Sequence, residues 1–70
     1  MNAKVWFKIE EFIPDEQAIG ARGFWTQLAR NGFPFRTDGV ETVNGLTRKL
    51  LDEGRKVRAV RVTEEVVDVP

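Results

Sequence analysis

Any chemistry in this chain has to come from arginines, aromatics and carboxylates, because Cys and His are both absent from its 70 residues. Their absence excludes disulfides, thiolate nucleophiles, imidazole bases and the usual zinc sites, and it fits a reducing, cytoplasmic setting. The carboxylates include two adjacent pairs, Glu10-Glu11 and Glu64-Glu65. Neighbours in sequence point apart on a strand or a helix, so neither pair forms an acid and a base working on one bond. Gly20 and Gly23 lie in no phosphate-cradling motif. Neither an enzyme, a cofactor nor a metal site is expected. The cations are more informative. Arg22, Arg30, Arg36, Arg55, Lys56, Arg58 and Arg61, joined by the polar Thr26 and Gln27, are donors suited to phosphates and base edges. Trp6 and Phe24 are the aromatic candidates for gripping a protein partner.

Formal charge is zero, with eleven basic and eleven acidic residues, but the signs are segregated. Residues 1–21 carry a net minus two, residues 22–61 a net plus five from nine basic and four acidic side chains, and the segment after them minus three. A basic block between acidic ends is the footprint a phosphate backbone selects, because each neutralised phosphate releases counterions. The same pattern is also met on the solvated faces of ordinary small domains.

The elements that must position these residues follow from periodicity. With 41% hydrophobic and 31% charged residues the chain has the composition of a globular domain, and its length allows one small core. One domain over 1–65 is expected, with 66–70 a loose end. The longest apolar run is three residues, Val5-Trp6-Phe7, far short of a membrane span. In Lys4 to Glu10, Val5, Phe7 and Ile9 alternate with Trp6, Lys8 and Glu10, the period of a half-buried strand, and Trp6 on the second face needs a cover or a partner. Pro14 ends that segment and Asp15 is a possible cap for a helix from Glu16. Ala18, Ala21, Trp25, Leu28 and Ala29 form one apolar stripe, which predicts that this helix runs to about Asn31, with an Asn31-Gly32 hairpin as the alternative. Phe33 to Thr37 reads as a short edge strand, limited by Pro34. Val40, Val43, Leu46, Thr47, Leu50 and Leu51 make the clearest helical stripe, closed by Gly54, and Gly45 within it suggests a close neighbour. Lys56 to Val62 alternates again as a strand.

The order is strand, helix, short strand, helix, strand, an α+β single domain with helices on one face of a small sheet. Trp25, Leu28, Phe33, Phe35 and the 43–51 stripe are its expected core.

The run Val5-Trp-Phe-Lys-Ile-Glu-Glu-Phe12, then Arg22-Gly-Phe-Trp-Thr-Gln-Leu-Ala-Arg-Asn-Gly-Phe33 and Arg36-Thr37, resembles the N-terminal winged-helix DNA-binding domain of Mu-type phage transposases and repressors and the related excisionase-like domains. The resemblance covers about half of the chain. It implies a recognition helix around Arg22 to Arg30 in the major groove, with Arg36, Arg55, Lys56, Arg58 and Arg61 reaching phosphates or the minor groove. Beyond residue 37 a helix stands where a short wing would follow.

Two functions are compatible with these residues. One is a small nucleic-acid-binding accessory or regulatory protein of a phage or mobile element, with DNA as partner. The other is a small inhibitor or adaptor that offers a sheet edge or the Trp6 face to a host protein, a homodimer being compatible with either.

Overall fold

The computed structural model describes residues 3–15 and 22–67. Its elements run β1 (Ala3–Pro14), β2 (Gly23–Gln27), β3 (Ala29–Arg30), β4 (Phe33–Pro34), α1 (Val40–Asp52) and β5 (Val57–Glu65). β1 is the centre of an antiparallel sheet ordered β2-β1-β5, while β3 and β4 form a separate two-stranded ladder. This is a small α+β domain. Among the described residues its three-stranded sheet carries one helix, where two were expected, and no helix is long and apolar enough to cross a membrane.

The alternation read in residues 4–10 is real, but the strand runs on to Pro14 because β2 pairs with its second half, from Glu10↔Gln27 to Pro14↔Gly23. On its other side β5 pairs along almost the whole of β1, from Ala3↔Glu65 to Glu11↔Val57. Thr37 then closes the gap beside the first half of β1, exchanging backbone hydrogen bonds of 2.7 and 3.0 Å with Phe7.

The helix expected from Glu16 to about Asn31 is not formed where it can be followed. Residues 16–21 lie outside the described residues, and 22–31 run as two strands and the first half of a turn. The hairpin alternative is the one adopted: Asn31 and Gly32 have φ of 54° and 81°, the left-handed pair of a type I′ turn, and Arg30 pairs with Phe33 across it. The Ala-rich stripe of the imagined helix offers little area to bury. As a strand, the same residues put Leu28 into the core beside Ile9, whose carbonyl accepts the Leu28 N–H at 2.7 Å, and bring Trp25 against Phe12. Gly23 is required for this. A Cβ there would stand 2.5 Å from both the Ile13 carbonyl oxygen and the tip of the Phe12 ring.

The second helix is where the stripe puts it. Val43 and Leu50 are buried, Leu46 packs beside them, and Gly54 (φ 85°) ends α1 with the paired hydrogen bonds Gly54 N–H to Leu51 and Arg55 N–H to Leu50. That is the Schellman arrangement, which favours glycine at its left-handed position. Gly45, in contrast, has nothing within 4 Å of where a Cβ would be, so the close neighbour expected there does not exist.

The core is Ile9, Leu28, Val43, Leu50 and Val57, with Phe7, Phe35 and Leu46 packed against it. Each such aliphatic side chain contributes roughly 1.5–3 kcal/mol when taken fully out of water. Two expected core residues are elsewhere: Phe33, at the turn, is 73% exposed, and Trp25 lies on the sheet face away from the helix. Val40 and Leu51, at the ends of the helical stripe, are about half exposed.

A candidate interface on the open sheet face

Strand geometry sorts the candidate residues, because successive side chains of a strand go to opposite faces. In β1 the odd-numbered Phe7 and Ile9 join the core, so Lys4, Trp6, Lys8, Glu10 and Phe12 go to the face that α1 leaves uncovered. Pairing with β1 adds Arg58, Val60, Val62 and Glu64 from β5 and Trp25 and Gln27 from β2. Lys56, just ahead of β5, accepts the Phe12 N–H through its carbonyl and belongs to the same row.

Three aromatic rings on this face each lie under a cation. The Arg36 guanidinium carbon is 4.0 Å from the centre of the Trp6 ring, that of Arg58 is 4.0 Å from Trp25, and the Lys56 ammonium is 4.4 Å from Phe12. Phe12 and Trp25 meet edge to face, their centres 5.5 Å apart and their planes at 61°. Such contacts are worth about 0.5–1 kcal/mol each at exposed sites, so they orient the groups more than they hold the fold. Trp6, which needed a cover, has one: Arg36 above its ring, and Glu64 accepting its indole N–H. Beside it opens a cleft of about 330 Å³ lined by Lys4, Trp6, Arg36, Thr37 and Asp38.

Carboxylates are threaded among the cations. Arg58 reaches Glu10 at 2.7 Å, Lys8 reaches the other oxygen of Glu10 at 3.4 Å, and Arg36 approaches Glu64 at 3.6 Å. The Arg58 hydrogen bond is the main reason that the Glu10 carboxyl is held below the ordinary glutamate value, against the desolvation that raises it. Lys4, Lys8, Arg36, Lys56 and Arg58 against Glu10, Glu64 and the cleft's Asp38 leave the face with a net plus two.

Of the nine residues expected to contact nucleic acid, the fold brings Arg36, Lys56 and Arg58 together here, with Gln27 at the margin donating its side-chain amide to the Phe35 carbonyl at 3.1 Å. The other five are dispersed. Arg55 is on the helix side, bound through two 2.7 Å hydrogen bonds to Glu11, whose carboxyl is lowered by them. Thr26 is opposite Glu11 and Arg61 opposite Phe7, both in the odd row of β1. Arg22 precedes β2, and Arg30 lines a groove between the β3–β4 turn and α1. The protein-gripping pair is split as well: Phe24, 58% exposed, pairs with Ile13 and so faces away from Trp6.

Residues 22–30 are therefore no recognition helix, contrary to what the winged-helix resemblance implies; Gly23–Gln27 and Ala29–Arg30 are strands. Sequence reasoning put Lys8 on the face of Trp6 but missed Phe12, Trp25 and Lys4 as members of it. The signal was available for part of it, since Trp6-Lys8-Glu10-Phe12 continues one row once the strand is carried to Pro14.

Fold and site together define a small α+β domain with one helix-covered sheet face and one open face of capped aromatics. No family model matches this chain, and comparison with curated proteins and with solved structures gives no match.

Proposed function

We propose that this domain binds nucleic acid as a single strand on the open face of its sheet. The reading rests on one observation: Trp6, Phe12 and Trp25 share a face with five cations, three of which already lie over the rings. A flat face of that composition suits unpaired bases, which stack on aromatic rings or on guanidinium planes while neighbouring cations take the phosphates. A duplex, whose bases are already stacked, would use the cations alone. The guanidinium carbons of Arg36 and Arg58 stand 4.0 Å from the tryptophan ring centres, and an incoming base would stack on these rings or on the guanidinium planes beside them. Lys4 and Lys8 supply phosphate contacts along β1, and the cleft beside Trp6 is large enough for part of a nucleotide.

Glu10 and Glu64 favour a second reading, a protein partner. They neutralise Arg58 and Arg36 in place, so a partner's surface meets aromatic anchors whose arginines are already paired, with only lysine charge left around them.

The two readings separate in one titration. Fluorescein-labelled oligo(dT) and a random duplex are titrated with the protein across a salt series, with anisotropy as the readout. Micromolar binding that prefers the single strand, weakens as log salt rises, and loses about tenfold in affinity in Trp25→Ala supports the proposal, because stacking is worth roughly 1–3 kcal/mol per base. Arg61→Ala, on the opposite row, leaves it unchanged. Absence of binding to either probe at low salt overturns the nucleic-acid reading and leaves the protein one.

A further inference from the structure

β5 is the last strand of its sheet, and among the described residues no strand pairs with its outer edge. Its hydrogen bonding to β1 can be traced from the Phe12 N–H to the Lys56 carbonyl. From that bond the antiparallel ladder alternates, so residues 56, 58, 60, 62 and 64 bond to β1 while Val57, Ala59, Arg61, Thr63 and Glu65 direct their backbone N–H and C=O groups outward. A nine-residue strand with such an edge is a template for another strand.

The residues along that edge are complementary to themselves. Written from Ala59 to Val67 the chain reads Ala-Val-Arg-Val-Thr-Glu-Glu-Val-Val. Folded antiparallel onto a second copy about Thr63, it sets Ala59 against Val67, Val60 against Val66, Arg61 against Glu65 and Thr63 against Thr63. All of these partners share a face, as neighbouring strands require. Opposite charges then stand directly across at two symmetric places, and Val66 and Val67, 77% and 75% exposed in the single chain, gain apolar neighbours. Shifting the centre to Arg61 or to Glu65 sets like charges face to face, and shifting it to Val60 leaves Val66 and Val67 beyond the pairing. Arg61 and Glu65 are both exposed and make no ion pair within the chain among the described residues, so both are available.

We infer that β5 pairs with β5 of a second copy of this chain, antiparallel about Thr63. The product is a six-stranded sheet with an isologous two-fold interface. Because the axis stands perpendicular to the sheet, the open faces of the two copies lie side by side. The interface uses the outward backbone groups of β5 with Arg61 and Glu65 on the helix-side face, and on the open face it sets Val60 of one copy against Val66 of the other.

Sedimentation equilibrium across a concentration series, with circular dichroism to check folding, tests this. The unaltered protein is expected to dimerise, Arg61→Glu and Glu65→Arg each to weaken the dimer roughly tenfold or more, and the double exchange Arg61→Glu/Glu65→Arg to restore it. The restoration is a readout that general damage to the fold would not produce. Register is tested separately with Thr63→Cys in this chain without cysteines: the Cα atoms of a hydrogen-bonded antiparallel pair stand about 5.5 Å apart, within disulfide reach, so mild oxidation links the dimer. Asn44→Cys, on the exposed side of α1, does not link under the same conditions. A protein that stays monomeric at every concentration overturns the inference, as does a dimer indifferent to both charge reversals.

Discussion

The two faces of one sheet are built on different chemistry. Toward α1 the chain buries Ile9, Leu28, Val43, Leu50 and Val57, all aliphatic, with no buried polar or charged side chain among them. Away from α1 it lays out Trp6, Phe12 and Trp25 half-buried under arginine and lysine. Aliphatic burial removes surface from water without directional demands, so that face holds the fold together. An aromatic ring under a cation keeps a polarisable surface near water, and its cover can move. The difference separates stability from recognition across the thickness of a single sheet.

The sharpest way to break this contrast is to cut into the helix side. Ile9 is 0% exposed, and Ile9→Ala is expected to cost about 2–5 kcal/mol, enough to unfold much of a domain this small. Urea denaturation followed by far-ultraviolet circular dichroism measures it. Trp25→Ala on the other face should leave the midpoint much closer to that of the unaltered protein; a loss as large as that of Ile9→Ala would mean the open face is core after all.

Gly23→Ala comes next. The new methyl group would collide with the Phe12 ring and the Ile13 carbonyl, costing about 1–3 kcal/mol by the same assay and displacing Phe12 from Trp25. A shift in tryptophan emission would report that displacement. An unchanged midpoint and spectrum would show that the ring does not lie over Gly23.

Gly45→Ala is expected to act in the opposite direction. With open space at that position in the middle of α1, the substitution should stabilise the protein by about 1 kcal/mol through helix propensity alone. Destabilisation would mean that something packs there.

The smallest effect is electrostatic. Glu10 and Glu11 are held below the ordinary glutamate value of 4.5 by Arg58 and Arg55 respectively. A depressed folded-state pKa contributes stability above the unfolded value and loses it as the pH falls through the folded one. Denaturation midpoints should therefore be flat near neutrality and decline below about pH 4.5, and Glu10→Gln/Glu11→Gln should flatten part of that decline. An identical acid limb in both proteins would remove these pairs from the balance. Since both arginines are largely exposed, the change should be modest.

Much of the scaffold was legible in local pattern. Period-two alternation located β1 and β5, the apolar stripe from Val40 to Leu51 located α1, and Gly54 marked its end, because each signal depends on neighbours within a few residues. The sorting of Glu10 from Glu11 onto opposite faces follows from the same alternation. The middle of the chain was not legible in this way. Residues 23–30 fit a helical stripe better than a strand's alternation, and what overrides that pattern is the open flank of β1 between Glu10 and Pro14, with Phe12 waiting for Trp25 and Gly23 small enough to let that ring pass.

The candidate site divides along the same line. Sequence alone determined that a basic middle stretch, a tryptophan on the second face of the first strand and an arginine-bearing last strand would exist, since composition and alternation are properties of the chain itself. Which arginines meet which rings was decided only by tertiary pairing. Arg58 meets Glu10 from 48 residues away, Arg55 meets Glu11 from 44, and Glu64 meets Trp6 from 58. Contacts at that separation are set by strand register and by where the helix lies, and a side chain's charge or ring carries no record of either until the sheet has closed.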